Sequence, residues 1–376
     1  SFLKSSAETY VELATSFFIK SSAAADSPGL LALDLAPGAC ATPLPLLPAL
    51  ARPHLYVTQR GQGARRVLTP ERGVRLAPFT SLRVGGKADF FLLAQSGQDL
   101  ADGLAWARDR GVAARVIGGG SNLLVAEAGV EGLVIKAANS RFSVEDRHGL
   151  PVLDAEAGAT LAKVARRLAK QGFGGLEWAA NVPGTVGGAA VNNAGAFGGD
   201  TAACLLTVTL VDASRRTQRL NADELGYAYR ASVLKNRERG DIAVERLELR
   251  LTRSTPDRAD ALVKQHNGQR MRSQPRILSA GSVFANPECD FAGRLIEQAG
   301  LKQARVGGAE ISDQHANFIV NPGRATARDV FTLMRQAQDA VFERAGIWLR
   351  PEIELLGRWS PDELQALRGG TVLSGG

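Results

Sequence analysis

Apolar and polar residues alternate through LLTVTLVD (205–212) and AVERLELRL (243–251). That period-two pattern predicts half-buried strands. KADFFLLAQ (87–95), AARVIG (113–118) and GLVIKAA (132–138) also read as strands. Helical spacing replaces alternation in GQDLADGLAWARDRG (97–111) and ATLAKVARRLAKQG (159–172), which stop at Gly111 and Gly172. Beyond residue 254 helical patterns dominate: DRADALVKQHNGQRM, FAGRLIEQAG and TARDVFTLMRQAQDAVFERAG. The last opens on Thr326 with Asp329 three positions on, close to a capping box. Strands and helices are interspersed and no repeat is present, so the predicted class is α+β.

Residues 1–72 have a different texture, rich in Ser, Ala, Leu and Pro. ETYVELATSFFIKSS (8–22) predicts a short helix, and 28–52 reads as loop. The extension is expected to be poorly ordered. The most apolar stretch, PGLLALDLAPGACATPLPLLPAL (28–50), is broken by Asp34 and several prolines, so neither a membrane span nor a signal peptide is predicted.

A length of 376 residues leaves room for two or three domains. The net charge of +7 and a pI of about 9.6 suit a polyanionic ligand. The basic residues are spread along the chain and only 6% of residues are aromatic, which argues against a nucleic-acid platform. The three cysteines, Cys40, Cys204 and Cys289, form no CxxC pair, and no two of the four His stand at i, i+4. Neither a disulfide framework nor a metal site is expected, and a reducing cytoplasm fits.

Two glycine-rich segments carry the candidate chemistry. VIGGGSNLLV (116–125) sets Gly118, Gly119 and Gly120 after a strand, with Ser121 and Asn122 following. No Lys follows and the spacing is not G-x-G-x-x-G, so it is neither a P-loop nor a Rossmann turn. Backbone N–H groups, with Ser121 and Asn122, are expected to hold a phosphate there. NVPGTVGGAAVNNAGAFGGD (181–200) brings Gly184, Gly187, Gly188 and Gly195 close to Asn192 and Asn193. Small residues over that length let a flat ring lie against the backbone, and the amides offer donors and acceptors to its edge. Two such segments suggest a dinucleotide.

In order along the chain, TSLRVGGKADF (80–90), VIGGGSNLLV, VPGTVGGAAVNNAGAFG (182–198), YRASVLK (229–235), SAGSVFANP (279–287), AEISDQHANFIVN (309–321) and LRPEIELLG (349–357) appear. Together they resemble the UDP-N-acetylenolpyruvoylglucosamine reductase family over about residues 75–357. The resemblance implies a two-subdomain FAD-binding domain of the vanillyl-alcohol-oxidase type, followed by an α/β substrate domain. The expected divisions are 73–138 and 139–253 for the FAD subdomains, 254–357 for the substrate domain with a catalytic strand, and 358–376 as a tail.

It further implies non-covalent FAD, NADPH as hydride donor, a UDP-sugar substrate and a monomer in the cytoplasm serving peptidoglycan synthesis. Gly118, Gly119, Gly120, Ser121, Asn122 and Leu123 would hold the pyrophosphate. Gly184, Thr185, Gly187, Gly188, Asn192, Asn193, Gly195 and Ala196 would line the flavin. Arg230 would pair with the substrate carboxylate, Ser282 would donate a proton to carbon, and Glu352 would act as a protonated acid partner whose pKa is raised by burial. Tyr229, Arg272, Gln274, Asn286 and Lys302 would contact substrate, and His315 reads as a packing residue.

The chain departs from the pattern in three places. Ala285 stands where the family often has Lys. The Tyr-bearing insertion of one subtype is missing, so the shorter subtype is expected. Residues 1–72 have no counterpart. The alternative reading is an FAD-linked oxidase or dehydrogenase of an alcohol or hydroxy acid on the same fold. Many of those tether FAD through a His near the pyrophosphate loop, and residues 55–147 contain none.

Overall fold

The computed structural model describes residues 68–235, 241–288, 290–367 and 372–373, all within the unit His54–Gly376. The helix expected in 8–22, the rest of 1–67, Cys40 and Cys289 lie outside the described residues.

The dense apolar runs build a four-stranded sheet in the order Glu71–Arg75, Lys87–Ala94, Val130–Ala137, Ala114–Ile117. The first pair is antiparallel and the other two are parallel. Parallel strands are covered on both faces and so read as continuous apolar runs. Leu133, Val134 and Ile135 accordingly have no exposed surface. The helix Gly97–Arg108, capped by the Ser96 side chain, packs Leu100 and Leu104 against Leu92, Leu133 and Ile135.

The alternating runs build a five-stranded antiparallel sheet in the order Thr217–Asn221, Leu205–Asp212, Ile242–Arg250, Leu150–Glu156, Phe142–Arg147. Val208, Leu210, Leu247 and Leu249 turn inward to meet Leu161, Val164 and Leu168 of the helix Leu161–Lys170. Its two outer strands, Phe142–Arg147 and Thr217–Asn221, are mostly solvated and carry too few apolar residues to signal themselves.

The helix Pro256–Ser273 begins on a Thr255 cap. Assigned by sequence to the third division, it buries Ala259 and Val263 in the core of the second. A third body follows. Strands Leu278–Ser279, Ile319–Asn321, Ala309–Ile311 and Arg305–Val306 form an antiparallel sheet in that order. Beside it lie the helices Ala292–Gln298 and Ala327–Ala345. Thr326 and Asp329 complete the capping box of the latter, which ends on left-handed Gly346.

The bodies are stitched together beside the first glycine segment. Leu82, Val84 and Leu124 belong to the third core. The strand Glu354–Leu356 pairs in parallel with Leu123–Val125, so the SNLLV run is a short strand with buried side chains rather than the start of a helix.

Candidate active site

The two glycine segments face each other and close-pack. A Cβ on Gly119 would lie 2.6 Å from Gly184 Cα, and one on Gly118 would lie 2.4 Å from the Thr185 hydroxyl. Gly120 has φ +62°, and a Cβ there would meet the Phe79 carbonyl at 2.1 Å. The missing side chains thus let the segments dock on each other and on the 79–80 backbone. Among the described residues, the N–H groups of Gly119, Gly120 and Ser121 donate to no backbone carbonyl. Such undirected donors at the end of a strand suit an anion. We expect Gly119→Ala to lower stability by about 1–3 kcal/mol through overpacking and to reduce flavin retained on purification. Thermal unfolding and visible absorbance check this, and wild-type values for both would contradict the docking argument.

The second segment is only partly loop. Val186–Asn192 is a short helix, and its Thr185 cap accepts from the Gly188 N–H at 3.3 Å. Gly187 is filled by Ala157, whereas a Cβ on Gly188 would meet only Thr185, at 3.5 Å.

Between the segments lies a cleft of about 640 Å³, within the range of cofactor sites. Residues 118–123 line it, as do Gly184, Thr185, Gly187, Gly188, Asn192, Gly195 and Ala196. Asn193 does not. Its amide donates to the Ala228 carbonyl, its side-chain oxygen accepts from Ala202 N–H, and its backbone is left-handed. Asn193 therefore shapes the turn that the cofactor segment makes. A size-matched cleft with free amide donors on one wall fits FAD.

Arg230, Ser282 and Glu352 line the same cleft. Arg230 sits at φ +56°, a region that strains a residue with a Cβ and is held only by surrounding contacts. Those contacts are present. Its Nε donates to Glu352 at 2.8 Å, and its terminal nitrogens donate to the Asn193 and Gly195 carbonyls at 3.3 and 3.1 Å. The guanidinium also lies 5.1 Å from the centre of the Tyr229 ring. Tyr229 itself is 53% exposed and supports Arg230 from outside the cleft.

Glu352 precedes the strand Glu354–Leu356, and its carbonyl accepts from the Asn122 amide at 2.9 Å. Asn122 thus spends one donor on orienting the acid's backbone. Burial pushes the Glu352 carboxyl above the usual carboxylate range, against the pull of Arg230. Ser282 follows left-handed Gly281. The loop is clamped by buried Asn317, whose side chain accepts from Phe284 N–H and donates to the Phe284 carbonyl, and whose own carbonyl accepts from Val283 N–H.

The proposed substrate contacts divide. Gln274 lines the cleft, and its buried side-chain oxygen has no hydrogen-bond partner among the described residues. Arg272 is exposed, whereas Arg270, one half-turn back, lines the cleft. Burial pulls Arg270 below the usual guanidinium range. Asn286 is exposed and accepts from the Ala292 N–H. Lys302 pairs with Glu297 at 2.7 Å. Neither Asn286 nor Lys302 lines the cleft. Ala285 is buried, its N–H donates to the Arg350 carbonyl, and it does not line the cleft. His315 packs edge-on against Phe318 at 4.9 Å.

Lys235 and Glu354 also line the cleft, paired at 3.3 Å. Glu354 was readable as the alternate residue after Glu352 in an extended run. Among the described residues no cluster of His, Cys, Asp and Glu suits a metal, and no helix is long and apolar enough to cross a membrane.

Residues 88–221 match the sequence model of an FAD binding domain, spanning strands of both large sheets, and FAD is the cofactor. Residues 273–356 match the C-terminal domain of UDP-N-acetylenolpyruvoylglucosamine reductase. The reductase of Synechococcus sp. strain JA-3-3Ab is 42% identical over 293 residues, covering 76% of this chain and 91% of the relative. A second reductase, from Symbiobacterium thermophilum, is 40% identical over 297 residues, covering 77% and 94%. The crystal structure of the reductase from Thermus caldophilus superposes with a TM-score of 0.64 at 34% identity, covering 77% of this chain and 99% of that one. The cleft geometry and these likenesses agree: the chain belongs to the UDP-N-acetylenolpyruvoylglucosamine reductase family.

Proposed function

We propose that this protein reduces the enolpyruvyl group of UDP-N-acetylglucosamine enolpyruvate to give UDP-N-acetylmuramate, a step of peptidoglycan synthesis, with NADPH as reductant. The observation that carries the reading is the convergence of Arg230, Ser282 and Glu352 on the cleft between the glycine segments. When bound, FAD supplies a hydride carrier between reductant and substrate. Gly119, Gly120 and Ser121 would hold its pyrophosphate, with the 184–196 segment against its ring.

The reaction adds a hydride to the terminal enolpyruvyl carbon and a proton to the carbon beside the carboxylate. Negative charge builds on that carboxylate as the hydride arrives. Arg230 neutralises it with the N–H groups left over from its contacts to Glu352, Asn193 and Gly195. Burial raises the Glu352 pKa, and in its protonated form Glu352 donates a hydrogen bond to the enediolate oxygen. Ser282 gives its hydroxyl proton to carbon. An alcohol is a weak acid, but an enediolate carbon is a strong base, so the transfer is feasible. The sparse cysteines suit a reducing cytoplasm.

The test is direct. The purified protein should be yellow, and it should consume NADPH only when the enolpyruvyl sugar nucleotide is present. NADPH oxidation at one rate with and without that substrate would refute the reading.

A further inference from the structure

Two ion pairs stand side by side in the cleft. Arg230 meets Glu352 at 2.8 Å and Lys235 meets Glu354 at 3.3 Å. The Lys235 and Glu354 side chains are 11% and 9% exposed. The mechanism above makes no use of the second pair.

Both carboxyls reach the cleft from one short run of chain. Glu352, Glu354 and Leu356 line the cleft, while Ile353 and Leu355 enter the third core. Both cations belong to one tightly held loop. Lys235 Nζ donates to the Arg230 carbonyl at 3.4 Å, and its N–H donates to the Ser232 hydroxyl at 3.2 Å. That hydroxyl donates in turn to the Val191 carbonyl at 2.6 Å. A buried ion pair is a poor source of stability, because desolvation offsets the attraction. Apolar residues of similar size would serve packing as well, so a charged pair retained in a catalytic cleft calls for a chemical reason.

We propose that Lys235 and Glu354 are positioning residues that fix the charge balance around Glu352, so that Glu352 keeps its proton for the enolpyruvyl reduction. The inference rests on the function proposed above. Arg230 and Lys235 both pull on Glu352, and Glu354, 3.3 Å from Lys235, offsets part of the second cation's pull. Other charged groups also face the space. Arg350 lies two positions before Glu352 and acts on it. Arg270 and Arg115 line the cleft from the helix Pro256–Ser273 and the strand Ala114–Ile117. With so many cations nearby, one uncompensated lysine more would favour the carboxylate of Glu352 and remove the hydrogen-bond donor. Glu354 is itself pushed upward by burial, against the pull of Lys235, so it needs that cation to carry its charge.

The test follows the pH profile of a single turnover, in which reduced holoenzyme meets the enolpyruvyl sugar nucleotide. Activity should fall with rising pH as Glu352 loses its proton. Glu354→Gln leaves Lys235 uncompensated, and its limb should move toward acid by about one to two pH units, the size expected for one charge about 6–12 Å away at an effective dielectric of about 20. Lys235→Met leaves no uncompensated cation, so its limb should stay or move toward alkali. The double variant should return the limb to its wild-type place. Loosening of the loop would lower the rates without shifting the limbs in this pattern. A Glu354→Gln limb that stays or moves toward alkali overturns the proposal. So does a Lys235→Met limb that moves toward acid, a comparison that stands even if Glu354→Gln does not fold. Wild-type protein inactive on this substrate at every pH would instead refute the function itself.

Discussion

Replacing Ser282 with alanine is expected to leave reduction of the flavin by NADPH intact, while transfer to the enolpyruvyl group falls by about 10²–10⁴-fold, the usual range for losing a positioned proton donor. The asymmetry comes from what the hydroxyl does. Ser282 lines the cleft with Arg230 and Glu352, but it supplies a proton only to the substrate carbon. Because Asn317 sets the loop through the backbone of Val283 and Phe284, losing the Ser282 hydroxyl should not move the loop. Stopped-flow loss of flavin colour measures the first half-reaction, and its return on mixing with substrate measures the second. Equal loss in both would count against the proton-donor role.

Glu352 should show a different pattern. Truncation to alanine removes a preorganised donor to the developing oxyanion and is expected to cost about 10²–10³-fold in the same half-reaction. Glu352→Gln keeps a neutral N–H donor and should retain more activity than the alanine variant. The pH dependence carries the sharper test. Burial raises the folded pKa of Glu352, so the folded state binds its proton more tightly than the unfolded one. The associated stabilisation is complete below the ordinary carboxylate pKa and is lost as pH rises through the raised value. Wild-type enolpyruvyl reduction should decline over that upper window, and the Gln variant should lack the decline. A wild-type profile flat to high pH, or an identical limb in Glu352→Gln, would remove Glu352 from the acid role.

Much of this architecture could be read from patterning. LLTVTLVD became the strand Leu205–Asp212, and the capping residues of the helix Ala327–Ala345 were visible as Thr326 and Asp329. The helix Val186–Asn192 was hidden because three of its seven positions are Gly or Asn, which have low helix propensity. It survives by packing Val186, Ala189 and Ala190 into the second core. The catalytic candidates were recognisable through their motifs. Their neighbours were harder: Arg270 rather than Arg272 faces the cleft because helical phase, not proximity in sequence, decides which side chain points inward. Asn193 resembled a ring contact by composition, yet the left-handed turn it occupies takes up both ends of its amide.

One contact bears on how the molecule is made. The amide of Asn122 reaches the carbonyl of Glu352, 230 positions away, and the strand Leu123–Val125 waits for Glu354–Leu356 as its parallel neighbour. A ribosome has therefore delivered both large sheets well before that seam can close. Partners so distant along a polypeptide pair slowly, and until then the nascent chain carries an unpartnered strand edge next to its unfinished cofactor cradle. Chaperone binding to released chains truncated before residue 350 should accordingly exceed binding to the full chain.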